Sequence, residues 1–248
     1  NTANSLFMNK THKVVTVSNR QPTEWYYLQR EFFKSLKDEV PMVISGHYWG
    51  GLTTKPKWLF QALKEKKIAE DIIIFPDNWD LVFATDCKEI VNMFLSQKSD
   101  VVVSAEANCF PVDTKEKYDK LDNPAPYKYL NSGFIIGYKE AIYECLESMD
   151  IENVPNDYWD SEKECAVHPN DQLLWQQEYL KQPVNIYLDC NQWFSQTLHD
   201  ADINDFDFSG ERILNKITNT APCTFHFNGG AKSNISLREP ILKHLKLI

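Results

Sequence analysis

Two carboxylates, Asp77 and Asp80, stand three residues apart directly after the apolar run Ile72-Ile73-Ile74-Phe75. A pair of acids at that range offers hard oxygen ligands to a divalent cation. Pro76-Asp77-Asn78 is equally good turn chemistry, with a fixed φ followed by side chains that bond their own backbone. Both readings stand on this stretch alone. A second charged group is basic: Lys55, Lys57, Lys64, Lys66 and Lys67 cluster in sequence and suggest a local basic groove. Six cysteines (87, 109, 145, 165, 190 and 223) occur without a C-x-x-C pair, a spacing that fits neither a zinc motif nor a compact disulfide framework. They are expected to be free thiols.

Position gives the two acids their interest. Ile72 to Phe75 has the β-branched bias of a strand buried on both faces, and ligand crevices in parallel sheets form at the carboxyl ends of strands. Upstream, Lys13 to Ser18 reads as a strand and Glu24 to Lys37 as a helix with Tyr27, Leu28, Phe32 and Leu36 on one face. Met42 to Ile44 is a second strand. The loop Gly46-His-Tyr-Trp-Gly-Gly51 has glycines that permit close backbone approach to a ligand. Pro56 to Lys67 reads as a helix with Trp58, Leu59, Ala62 and Leu63 on one face. Alternation of strand and helix predicts an α/β fold with a mainly parallel sheet.

Further along, Leu81 to Ala84 is a short apolar segment, Lys88 to Ser96 a helix and Asp100 to Ser104 a buried strand ending in Ala105-Glu106. Asp113 to Tyr127 reads as a loop able to move as a lid. Tyr129 to Tyr138 reads as a strand entered from a tight turn, Glu140 to Met149 as a helix, and Asp150 to Pro169 as irregular and exposed. Asn170 is a candidate cap for the helix that follows. Val184 to Leu188 is a strand, and a late strand from Pro222 runs into Gly229-Gly230, with Lys232 beyond. One domain is expected over residues 8–248, with residues 1–7 set aside as a trimmed, extraneous or disordered start.

Net charge is −9 and aromatics are 13% of the 248 residues. The charge argues against a broad nucleic-acid footprint. No apolar run approaches the ~20 residues of a membrane span, so no membrane partner is expected. Free thiols point to the cytoplasm (the host cytoplasm for a viral protein), and the secretory pathway stays open, since a removed signal leaves no trace.

Six blocks occur in one order: Gly50-Gly51 with Lys55; Phe75 to Ala84; Val103-Ser-Ala-Glu106 through Phe110-Pro111; Tyr129-Leu-Asn-Ser-Gly133 through Ile136-Gly137-Tyr138; Asp171-Gln172; and His226-Phe-Asn-Gly229 with Lys232. Together they resemble the glycosyltransferase domain of the procollagen lysyl hydroxylase/glycosyltransferase proteins, and more distantly the collagen galactosyltransferases. The resemblance implies a GT-A fold, a Rossmann-like nucleotide-sugar-binding single domain with a mixed, mainly parallel central sheet. It also implies transfer of a hexose or pentose from a UDP-sugar to an acceptor hydroxyl, with Mn2+ (or Mg2+) as cofactor. Carried over residue by residue, Asp77, Asp80 and His226 would hold the ion. Gly229 and Lys232 would serve the donor's diphosphate, Lys55 would be a further donor-binding residue, and Trp79 would stack on uracil. Thr16 and Ser18 would contact the nucleotide. Glu106, Asn131 and Asp171 would lie by the transferred sugar, with Asp171 as acid/base or acceptor-orienting group.

The chain departs from that pattern at several positions. His168-Pro-Asn-Asp171 retains one acid where relatives carry a run of Asp; Trp79 replaces Tyr; Phe110 replaces Trp; and Phe227 replaces Gly, which is expected to narrow the loop. Two acceptors stay open. One is a hydroxylysine-type side chain, as in collagen-like chains, and the other a hydroxymethylated DNA base, which would have to be flipped out of a duplex. A nucleotide-sugar-binding module without turnover is the alternative class.

Overall fold

The computed structural model describes residues 10–19, 26–37, 39–111, 115–119, 124–156, 158–160, 165–167 and 170–248. The first half alternates strand and helix: β1 (His12–Ser18), α1 (Tyr26–Ser35), β2 (Met42–Ser45), α2 (Thr54–Lys64), β3 (Ile72–Pro76), β4 (Leu81–Phe83) and α3 (Cys87–Gln97). The second half continues with β5 (Val101–Glu106), α4 (Lys115–Asp119), β6 (Tyr129–Tyr138), α5 (Lys139–Ser148), β7 (Tyr158–Asp160), β8 (Cys165–Val167), α6 (Asp171–Lys181) and β9 (Ile186–Asp189). Short strands β10 (Ser195–Thr197), β11 (Phe206–Asp207), β12 (Leu214–Asn215) and β13 (Thr224–His226) precede the last helix, α7 (Ile235–His244).

Six strands form the central sheet in the order β2-β1-β3-β6-β5-β9. β1 runs parallel to β2 and β3, and β5 parallel to β9, while β6 is antiparallel to both its neighbours. The sheet is therefore mixed and mainly parallel, as the sequence predicts. Alternate strand residues point to opposite faces. Ile73, Phe75, Val101, Val103 and Ile135 pack on one side under Leu59 and Leu63 of α2, Ile142 and Leu146 of α5 and Trp175 of α6. Ile72, Ile74, Val102, Phe134 and Ile136 pack on the other, under Phe32 of α1 and Ile90 and Phe94 of α3. Covering both faces is what makes β3 an unbroken apolar run.

A second sheet, β10-β13-β4, carries its own core of Val82, Leu198, Phe225, Phe227, Leu237 and Ile241. Asn234 caps α7 by accepting from Leu237 N at 3.2 Å. β4 and β13 are antiparallel with Leu81 opposite His226, so the chain leaving β3 turns straight into this sheet. The 3-10 turn Gly229–Lys232 follows β13.

Four expectations are corrected here. The stretch from Asp113 to Tyr127 contains α4, and Tyr118 and Tyr127 are buried in the first core, so its described part is pinned by packing rather than free as a lid. Within 150–169, β7 and β8 form an antiparallel pair; His168 and Pro169 lie outside the described residues. β6 is one strand with an interruption: Val103 of β5 faces Ile135, yet Ser104 faces Asn131, so the residues between bulge from the ladder. Two glycines of the 46–51 loop make room for protein side chains, since a Cβ on Gly46 would lie 2.6 Å from Trp58 and one on Gly50 2.3 Å from Asn156, while Gly51 serves a left-handed turn with φ +90°.

Candidate functional site

At the carboxyl end of β3 three elements meet. Asp77 N donates to Gly133 O at 2.8 Å, tying the residue after β3 to the bulge of β6. Phe227 N donates to Asp80 O at 2.7 Å, tying the acid before β4 to the residue after His226. Asp77, Asp80, Gly133 and His226 are thereby drawn together from three separate stretches. Gly133 is required where it stands, since a Cβ there would lie 2.0 Å from His226 Cε1.

The donor atoms converge. His226 Nε2 lies 3.3 Å from Asp80 Oδ1 and 3.8 Å from Asp77 Oδ2. Each acid gives its other oxygen to a lysine: Asp77 Oδ1 is 2.6 Å from Lys55 Nζ, and Asp80 Oδ2 is 2.6 Å from Lys232 Nζ. One oxygen of each carboxylate and one imidazole nitrogen thus face a common point, all within 4.8 Å of one another. This oxygen-oxygen-nitrogen set fits Mn2+ or Mg2+. Burial works against the charge on Asp80, but His226 and Lys232 hold its carboxyl well below the usual range. Lys55 and Lys232 stay cationic although burial opposes it, because Asp77 and Asp171 face the first and Asp80 the second.

A second group of polar side chains lines the same pocket. Glu106, at the end of β5, accepts from three amides: Asn131 Nδ2 at 3.0 Å and Gln172 Nε2 at 2.8 Å on Oε1, and Asn228 Nδ2 at 3.2 Å on Oε2. Burial pushes its carboxyl up. Asp171 opens α6 behind its cap Asn170, whose side chain accepts from Leu173 N at 3.0 Å. Its Oδ2 accepts from Ser132 Oγ at 2.9 Å and lies 3.3 Å from Lys55. Burial pushes the Asp171 carboxyl up, against the pull of Lys55. A cavity of about 520 Å³ is lined by both groups, with Leu52, Phe110 and His199 also on its wall.

The structure brings together nine of the twelve residues singled out from sequence: Asp77, Asp80, His226, Lys55, Lys232, Gly229, Glu106, Asn131 and Asp171 all line this pocket. Thr16, Ser18 and Trp79 do not. The Thr16 hydroxyl donates to Pro76 O at 2.8 Å, Ser18 Oγ accepts from Gln29 at 3.4 Å, and Trp79 is half-buried. Phe227 does not narrow the site, because it is fully buried in the core of the second sheet. The expected basic groove disperses. Lys55 turns inward, while Lys64 pairs with Glu152, Lys67 with Glu65, and Lys57 donates to Asn156. Sequence reasoning missed Asn228 and His199. Asn228 accepts from the backbone N–H groups of Leu198 and His199, and His199 Nδ1 accepts from Gly230 N. Asn228 lies within the His226-Phe-Asn-Gly229 block but its role depends on distant partners, and no local pattern marks His199.

The fold is an α/β architecture of GT-A type. A solved glycosyltransferase involved in glycosylation of the major capsid of PBCV-1 shares the fold, with a TM-score of 0.52 over 95% of this chain and 100% of that one, at 11% identity. The family model described as the PLOD GT domain matches residues 44–241, and the chain belongs to that family. Uncharacterized protein R699 of Acanthamoeba polyphaga mimivirus is 31% identical over 182 residues, 72% of this chain and 35% of that protein. The human multifunctional procollagen lysine hydroxylase and glycosyltransferase LH3 is 27% identical over 191 residues, 73% of this chain and 24% of that protein. The chain thus spans only part of the length of these relatives. The collagen glycosyltransferase-like reading from the six blocks agrees with the family match.

Proposed function

We propose that this domain transfers a sugar from a UDP-sugar to an acceptor hydroxyl, with Mn2+ or Mg2+ held by Asp77, Asp80 and His226. The convergence of Asp77 Oδ2, Asp80 Oδ1 and His226 Nε2 carries the proposal, since each carboxylate keeps one oxygen for that point while a lysine holds the other. The ion, when bound, supplies charge stabilisation for a departing diphosphate. Lys232, in the turn that begins at the left-handed Gly229 (φ +54°), adds a cation on the same side.

Glu106 is fixed by three amide donors and presents a carboxylate to sugar hydroxyls. Asp171 orients the acceptor and takes its proton. Its Oδ2 is held by Ser132 and Lys55, whereas Oδ1 has no hydrogen-bond partner among the described residues. Burial raises its proton affinity, which suits a general base. The acceptor we favour is a hydroxylysine-type side chain. Exposed Leu52 and Phe110 stand at the pocket, and Lys57, Lys64, Lys66 and Lys67, which would guide a DNA backbone, do not line it.

The test is UDP release from a panel of UDP-sugars with and without Mn2+, followed by mass spectrometry of hydroxylysine peptides and of hydroxymethylcytosine DNA. Glycosylated peptide with Mn2+ dependence is expected. Modified DNA overturns the acceptor assignment, and UDP-sugar binding without turnover overturns the enzyme in favour of a binding module.

A further inference from the structure

A second group of metal-ligating side chains lies at the other end of the β1–β3 pair. His12 begins β1 opposite Ile72, the first residue of β3, whereas Asp77 follows the last. The two groups are therefore roughly 17 Å apart along the strand. His12 Nε2 and Glu39 Oε2 are 3.4 Å apart, and the Cys87 sulfur completes a set of three ligand atoms within 4.8 Å of one another. These residues come from the start of β1, the segment after α1 and the first turn of α3.

We propose that His12, Glu39 and Cys87 form a second cation site, for a borderline divalent metal such as Zn2+. The donor set selects the metal: thiolate, imidazole and one carboxylate suit Zn2+, while Mn2+ and Mg2+ call for oxygen. Tetrahedral Zn2+ with such ligands places them about 3.3 to 3.8 Å apart, so side-chain rotations close the remaining distance. The pair His12–Glu39 at 3.4 Å is long for a charge-assisted hydrogen bond, which runs about 2.7 to 2.9 Å. A loose pair beside a sulfur is what a cation between them would tighten.

Access is open, and the cation must displace a proton that burial holds on the sulfur. The side chains of His12 and Glu39 are 24% and 26% exposed, giving solvent a way to the buried thiol. Without a cation, burial, with Glu39 and Asp86 nearby, pushes the Cys87 thiol up to about 12. On binding, the Sγ–H bond breaks, its proton passes to solvent and the sulfur ligates as thiolate. Position 87 also begins a helix, where the dipole favours the anion. Three protein ligands leave a fourth position for water. The ion would tie the first strand of the sheet to α1 and α3.

Cobalt substitution tests this on the intact chain. Metal-stripped protein titrated with Co2+ is expected to show a thiolate-to-cobalt charge-transfer band, which the Asp77–Asp80–His226 set cannot give. Zn2+ should displace that band at one equivalent. Cys87→Ser should abolish it, and His12→Gln should weaken Co2+ affinity at the band at least about tenfold, with circular dichroism confirming both variants folded. No band in the wild type overturns the site. So does a band that persists in Cys87→Ser, or, should that variant not fold, one whose affinity His12→Gln leaves unchanged.

Discussion

The two ends of β3 carry clusters of equal size and different chemistry. At the carboxyl end, Asp77, Asp80 and His226 sit in a pocket where Lys55 and Lys232 each hold an outer carboxylate oxygen. At the amino end, His12 and Glu39 form one loose pair over a buried thiol. The first cluster is preorganised by fixed charge and hydrogen bonds, as would suit the diphosphate of the proposed donor. The second is closed only when a cation replaces the proton on sulfur. Donor type separates them, so one cation cannot substitute freely for the other.

The sharpest break between the clusters is Asp80→Asn. It should lower Mn2+-dependent UDP release at least about a hundredfold, because the ion's contribution to the transition state is several kcal/mol. The thiolate–cobalt band should be unaffected. Gly133→Ala should act on the same cluster indirectly: its Cβ would meet His226 Cε1 at 2.0 Å, and either ring or strand must shift. A destabilisation of about 1–3 kcal/mol in urea unfolding, with loss of Mn2+ affinity, is expected.

Asp189 shows what a buried acid does without a facing lysine. Burial pushes its carboxyl up to about 6, although Trp193, Phe194 and Ser195 each donate a backbone N–H to it. The native state then holds a proton between about pH 4 and 6 that the unfolded chain has lost, so stability declines as pH rises through that window. Relative to Asp189→Asn, wild-type unfolding free energy should fall by at most about 1.4 kcal/mol per pH unit there and level off above it. Lys64→Glu should do least. It breaks a solvent-screened, exposed pair with Glu152 and should change transfer less than about twofold. A large loss would restore the basic groove and with it the nucleic-acid acceptor.

Much of this was legible because the determinants are local. Ile72 to Phe75 is apolar on both faces and reads as a buried strand; Asn170 before Asp171 reads as a cap; both hold in the structure. The lid reading of 113–127 does not hold for its described part, because polar composition hides Tyr118, whose ring packs against Tyr129 and Tyr179. The family blocks marked Lys55 as a donor-site residue, whereas charge clustering placed it among five groove lysines, because such clustering says nothing about which helix face is inward. Phe227 read as an obstruction because its side-chain direction depends on β13 pairing with β4.

By itself, the sequence determined the α/β alternation, the family blocks and, through them, the candidate ligands Asp77, Asp80 and His226, since periodicity and residue chemistry are properties of short stretches. Only the tertiary structure decided which of those residues meet. The antiparallel register of β4 with β13 sets His226 beside Asp80, and the bulge in β6 sets Gly133 and Ser132 against Asp77 and Asp171. The crossing of α2 turns Lys55 into the space between those two acids. The same holds at the far end of β3, where cysteine spacing gave no metal motif and His12, Glu39 and Cys87 nonetheless share one site. Long-range pairing fixes such distances, and no window of sequence contains both partners.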